Sequence, residues 1–342
     1  MRQDGSGAVT VPGPHRRMIG LVVALVVLLV LLVLSLMIGS TAIAPPVVWD
    51  ALFHPSADIN QFAIRDFRLP RTILGLVVGV ALGVSGALIQ ALTRNPLADP
   101  GLLGVHAGAS FAVTVAVGLL GVRDAQGYMW FAFAGALVVT LMVLALGSTR
   151  QGQSPVVMVL AGVCVGAVLG GVREALQLTN PDAFDAMRSW NAGSILGRPL
   201  DVVWPILPFF AVALVVAFAA APSLNALALG DDLAAAQGAR LARTRFLSIA
   251  ALTVLAGGAT AIAGPIGFVG LMVPHVARWF VGPDQRWIFA YSMLLAPSLL
   301  LASDILGRVV MSPGEIPVGV ITAFVGAPVL IALVRSRKMS RL

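Results

Sequence analysis

The chain has 342 residues, 58% hydrophobic and only 11% charged, with a mean hydropathy of +0.96 and a formal net charge of +7. That composition excludes an ordinary water-soluble domain, in which about a quarter of residues carry charge. It also excludes the usual reading of a basic chain, because loop arginines on a membrane protein report orientation and lipid contact rather than nucleic-acid binding.

Residues 1–17 are polar, contain Gly and Pro, and end in His15-Arg16-Arg17; they predict a disordered N-terminal segment. A single membrane domain over 18–335 follows, then a basic tail at 336–342. Charge-free runs at 18–49, 72–93, 101–122, 125–149, 151–172, 202–230, 246–264, 287–303 and 316–334 each suffice for one spanning helix. A run at 268–281, punctuated by Gly and Pro, is barely long enough for a tenth. Basic residues at both ends place both termini in the cytoplasm, which requires an even number of crossings. The expected architecture is therefore all-α and polytopic, with about ten transmembrane helices. Ala42-Ile43-Ala44 resembles a secretory cleavage site, but the apolar run before it is about 20 residues, against roughly 7–15 for a signal core.

Within the second run, Gly75, Gly79, Gly83, Ala87 and Ala91 recur every fourth residue and form a smooth ridge on one helix face. Asn95-Pro96 and Asp99-Pro100 then stop the helix. Gly162, Gly166 and Gly170 repeat the spacing, and Gly257, Ala261 and Gly264 continue the theme of small residues. Two readings stand side by side: tight helix packing, or the lining of a translocation path wide enough for a bulky solute. Gly75, Gly79, Gly83, Ser85, Gln90, Asn95, Gly162 and Gly166 are the candidates for either role. Cys164, the only cysteine, leaves no disulfide within the chain and predicts a buried small side chain. The irregular stretches 95–104 and 264–275 are candidate matching elements of two inverted halves.

Residues 222–245 join the sixth and seventh runs and face the cytoplasm. Ser223 is placed to cap a short helix carrying Leu224, Leu227 and Ala228, and Gly230 to end it. Asp231 and Asp232 suit the positive end of a second helix, and Gly238 breaks the chain before Arg240, Arg243 and Arg245. The Leu/Ala face makes a docking knob; the alternative is a loop resting on anionic lipid. Arg65, Arg68, Arg71 and Arg308 fall on the outer side against the charge rule, as interface anchors or as grips for acidic residues on a partner.

His15, His54, His106 and His275 are scattered, with no metal-ligand spacing. No phosphate-cradling P-loop motif and no nucleophile–base arrangement is present. The uncharged runs lack the acids that a bare cation or a coupling ion would require, which disfavours an ion-coupled secondary transporter. Trp49, Trp130, Trp190, Trp204, Trp279 and Trp287 lie near predicted span ends, as an interfacial belt would place them.

RLPR at 68–71, SGALIQ at 85–90, RNPLADPGLLG at 94–104, WNAGSILGR from Trp190, GPIGFVGLMVPHVAR from Gly264 and EIPVGVITAFVGAPVLIALV from Glu315 follow one another in order. Together they resemble the FecCD and BtuC-like permease subunits of bacterial ATP-driven importers for iron–siderophores, haem and cobalamin. The resemblance covers nearly everything from Arg65 to Arg335. LAGVCVGAVLGG with LTNPDAFDAMRSW is most similar to the ferric-enterobactin type, and His106 stands where relatives more often carry a small polar residue.

The resemblance implies a type II importer permease fold in the inner membrane and translocation of a ferric siderophore, with haem or cobalamin as the alternative cargo. It implies no enzymatic activity and no cofactor on this chain, with ATP and Mg held by two separate ATPase subunits. The other implied partners are a second permease, identical or paralogous, a periplasmic or lipid-anchored substrate-binding protein, and membrane lipids. Leu227, Leu229, Gly230, Asp231, Ala235, Gly238 and Arg240 match the ATPase-coupling segment. Arg68, Arg71 and Arg308 match positions that receive glutamates of the binding protein.

Overall fold

The computed structural model describes residues 13–39, 41–54, 58–149, 152–153, 155–238 and 240–335. Residues 1–12 and the expected basic tail at 336–342 lie outside them. Among the described residues the regular structure is helical apart from one antiparallel pairing of Ser148–Thr149 with Gly152–Gln153. In order the helices are α1 (Pro14–Met37), α2 (Pro45–Phe53), α3 (Ile59–Phe62), α4 (Leu69–Thr93), α5 (Val105–Gly118), α6 (Ala125–Gly147) and α7 (Pro155–Thr179). They continue as α8 (Pro181–Asn191), α9 (Leu207–Ala228), α10 (Asp231–Ala236), α11 (Leu241–Ala263), α12 (Val269–Val281), α13 (Gln285–Val310) and α14 (Val318–Arg335).

Among the described residues seven helical runs are long and apolar enough to cross a membrane. Three shorter apolar helices, Val105–Gly118, Val269–Val281 and Val318–Ala332, bring the set to the ten expected. Burial sorts them. The most apolar stretches of α4 and α11 are each 78% buried and form the axis of the bundle, whereas those of α1 and α7 are 17% and 11% buried and lie on its rim.

Local chemistry moves several predicted boundaries. Residues 14–17 belong to α1 rather than to a disordered tail, with Pro14 at a position where its missing N–H costs nothing. The run 18–49 is not one helix: Ile38 is extended, and Pro45 opens the separate α2. The run 101–122 shrinks to α5, because residues Pro100–Leu103 form a 3₁₀ turn and Gly104 is left-handed at φ 77°. Cys164 is exposed on α7 rather than buried. Trp190 is buried and does not join the exposed Trp49, Trp130, Trp204 and Trp279 at the surface.

The stripe on α4 explains the close packing of the axis. A methyl group at Gly75 would meet Leu301 at 2.7 Å, one at Gly79 would collide with the backbone of Pro297, and one at Gly83 would meet Ala296 at 2.6 Å. All three face α13. Gly75, Gly79, Gly83 and Ser85 are buried, and the three glycines pack α4 against α13.

Helix ends fix the layout. Tyr291 donates to the Arg17 carbonyl at 2.7 Å and Asn225 to Asp284 at 2.9 Å, so the start of α1, the end of α9 and the start of α13 share one end of the bundle. This is the near end. The start of α4, the end of α13 and the end of α1 meet at the far end, through Arg71, Asp304, Arg308 and Ser35.

Candidate functional site

Three sites bring together the side chains singled out by the sequence: an elbow at the near end, a junction in the middle and an ionic cluster at the far end.

The elbow departs from the expected pair of short helices. α9 runs through Pro222 to Ala228, so Ser223 sits inside a helix and caps nothing. Pro222 removes only one intrahelical bond, and the buried packing of Ala221, Leu224 and Leu227 carries the helix past it. The second short helix is present as expected. Gly230 at φ 114° turns the chain into α10, and Gly238 at φ 83° turns it out again, both in a region that side-chain-bearing residues rarely adopt.

Leu227 is only 3% exposed and is corrected from a contact residue to a core residue. The exposed apolar pair is Leu229 and Leu233, at 59% and 56%; Ala235, Gly238 and Arg240 are exposed beside them. Asp231, at the first position of α10, accepts a hydrogen bond from Arg245 of α11 at 2.6 Å and another from Arg94. Arg94 is the left-handed C-cap of α4, at φ 50°. The bond from Arg245, and then that from Arg94, holds the Asp231 carboxyl below its ordinary pKa. One carboxylate thus ties the short helix to both central helices.

The junction is built on Gln90, in the last turns of α4 and fully buried. Its amide nitrogen donates to Leu271 O at 3.0 Å, with Gly270 O at 3.3 Å and Ala98 O at 3.4 Å. Its oxygen accepts from Arg278 at 2.6 Å. One side chain therefore clamps both irregular stretches, 95–104 and 264–275, and Gly86 and Gly270 are glycines because their backbones nearly touch. Arg278 lies in the last turn of α12 and reaches the last turns of α4, so two helix C-termini face its charge. Asn95 is exposed and shapes the turn, accepting from Leu97 N–H at 2.9 Å. His106 bonds Thr260 at 3.0 Å and joins α5 to α11.

At the far end, the three arginines expected to receive a partner's glutamates are engaged within the chain. Arg68, Arg71 and Arg308 are 7%, 6% and 2% exposed, and each is engaged by partners within the chain, although the Arg308 Nε has none among the described residues. Arg68 donates to the carbonyls of Leu36, Met37 and Thr41 at 2.7–3.0 Å and so caps the end of α1. Arg71 donates to Asp304 at 2.8 Å and pairs with Glu315. Arg308 pairs with the fully buried Asp304 and donates to the carbonyls of Ser35 and Ile38, each at 2.8 Å. These arginines hold the bundle together rather than standing free for a partner's carboxylates. Together with Asp66, Arg198 and Glu315 they wall a cavity of about 400 Å³ that opens at the far end.

On α7 the small residues divide. Gly162 is buried against the Leu102 carbonyl, Gly166 makes ordinary contact with Ala107 at 3.5 Å, and a methyl at Gly170 would meet nothing within 4 Å. Packing accounts for the first of these, and open space adjoins the last. Among the described residues no three His, Cys, Asp or Glu side chains converge as a metal site.

Sequence reasoning missed Arg94, Arg278 and Ser35. It also passed over Asp304 as a partner, although Asp304 and Arg308 lie four apart beside an apolar run, a spacing that signals a helical pair.

A model of the FecCD transport family matches residues 27–336. The ferric enterobactin transport system permease protein FepD of Escherichia coli (strain K12) is 48% identical over 98% of this chain and 98% of its own length. The probable siderophore transport system permease protein YfiZ of Bacillus subtilis (strain 168) is 37% identical over 88% of this chain and 91% of its own. A solved structure, described as an inward-facing conformation of a metal-chelate type ABC transporter, superposes with a TM-score of 0.82 at 26% identity, covering 93% of this chain and 99% of that one.

Proposed function

The chain belongs to the FecCD transport family, and from that premise we propose that it is the permease subunit of an ATP-driven importer that carries a ferric siderophore across the cytoplasmic membrane. The near end faces the cytoplasm, with both termini on that side, and the far end faces outward. Two permease chains, identical or paralogous, enclose the path. Two ATPase subunits, which hold the ATP and Mg, sit against the elbows, and a soluble or lipid-anchored binding protein delivers cargo at the far end. This chain binds no cofactor and catalyses no reaction.

The observation that carries this reading is near-full-length identity to a ferric enterobactin permease, joined to an elbow that presents Leu229 and Leu233 to solvent. An apolar pair at the tip of a short, glycine-flanked helix is suited to a hydrophobic socket on a partner. Force applied there passes through Asp231 to Arg94 and Arg245, and so into α4 and α11, the two most buried spans. α4 in turn moves the clamped junction through Gln90.

The test is uptake of labelled ferric enterobactin into a strain lacking its own permease, complemented with this chain. Uptake that depends on a co-expressed ATPase supports the reading; uptake of haem or cobalamin alone overturns the cargo, and uptake without any ATPase overturns the mechanism.

A further inference from the structure

Beneath the elbow, α9 and the first turns of α11 part to leave a cavity of about 360 Å³. Its walls are of two kinds. Val216, Ala219, Ala220 and Leu247 make one side apolar, and Ser223, Arg240, Arg243 and Thr244 make the other polar and basic. No acid lines it. Of the two acids in the adjoining α10, Asp231 is committed to Arg94 and Arg245 and Asp232 is exposed; neither lines the cavity, and Arg240 and Arg243 form no ion pair among the described residues.

Two further groups lie beside the same space. α11 has no side-chain cap at its N-terminus, so the amides of Leu241, Ala242 and Arg243 have no backbone acceptor among the described residues. Thr244 is 7% exposed, lines the cavity, and its hydroxyl makes no hydrogen bond there among the described residues. A helix N-terminus, two unpaired guanidiniums and a free hydroxyl on a largely buried residue together form a receptor for a phosphate oxyanion. The apolar wall continues onto the exposed Val212, Val215 and Phe246, which carry the surface away from the elbow along α9 and α11.

We propose that this cavity binds the phosphate head group of an anionic phospholipid of the cytoplasmic leaflet, with an acyl chain along the α9 wall. The assignment to that leaflet rests on the membrane orientation proposed above. The basic side alone fits free phosphate equally well; the apolar wall and its continuation along the spans select the lipid. A lipid seated there would brace Gly238 and Arg240, the exit of α10, from behind.

Native mass spectrometry of the purified full chain in detergent tests this without requiring transport, so a wrong cargo assignment leaves the result intact. Dioleoylphosphatidylglycerol should be retained roughly tenfold over dioleoylphosphatidylcholine. The double variant Arg240→Gln/Arg243→Gln should abolish the preference. Ala219→Phe keeps both charges and fills the apolar wall, and should lower retention of phosphatidylglycerol as well. Equal retention of both lipids by the native chain, or an undiminished preference in both variants, overturns the proposal. Complete competition by millimolar inorganic phosphate would assign the site to free phosphate instead. Loss of ATPase co-purification in the variants with lipid retention unchanged would assign it to a partner protein.

Discussion

The two ends of the bundle use the same chemistry, arginine against carboxylate, at opposite depths. At the far end Asp304 is fully buried between Arg71 and Arg308, whose side chains are 7% and 2% exposed. At the near end Asp231 is 42% exposed and shared by Arg94 and Arg245. Burial decides what each arrangement does. A buried pair cannot lose one member without stranding the other, so it fixes geometry. An exposed pair exchanges with water at little cost, so it transmits position while leaving α10 able to move.

Removing one member at each end is the most direct way to break this contrast. Asp304→Ala leaves the buried Arg308 with no carboxylate and Arg71 with Glu315 alone, and should cost about 3–5 kcal/mol, seen as a large fall in the thermal midpoint of the purified protein. A fall no greater than that of an exposed substitution would mean that water reaches the cluster. Next in size is Gly79→Leu, which drives a side chain into the Pro297 backbone and should cost about 1–3 kcal/mol or more by overpacking α4 against α13. Asp231→Asn should change stability by less than about 1 kcal/mol, and that small effect should shrink further at high salt. Its larger consequence should be functional, with ATP hydrolysis retained and uptake per ATP reduced. Leu233→Glu should leave the thermal midpoint unchanged and weaken co-purification of the ATPase, because Leu233 is already exposed.

Acid tests the near end by itself. Asp231 has its folded pKa held below the ordinary value, so its contribution is complete above that value and disappears as pH falls through the lowered one. The near-end tie should therefore be insensitive to pH from about 5 to 8 and should loosen only below about pH 4. A spin label on α10 that gained mobility at neutral pH would contradict this.

The parts of the molecule written in local pattern were legible in the chain. Four-residue spacing exposed the α4 stripe, Gly and Pro marked both irregular stretches, and Gly230 and Gly238 framed α10. Charge was legible but partnership was not. Arg71 and Asp304 are 233 residues apart, and nothing in either neighbourhood announces the other. Taken alone, Arg68, Arg71 and Arg308 appeared to be free cations on an outer face, and only the fold shows helix ends and carboxylates already holding them. Leu227 and Leu229 appeared equivalent in sequence; two residues of helical rotation put one in the core and the other in solvent.

Gln90 limits how such a bundle can open. Its single amide serves carbonyls from both irregular stretches and anchors a buried guanidinium, so pulling those stretches apart would leave several polar groups dry and unmatched. The hydrogen bonds join the end of α4 and the two stretches into one wedge. Any opening of this bundle is therefore expected to hinge around that wedge rather than through it, along sparsely buried rim helices such as α7.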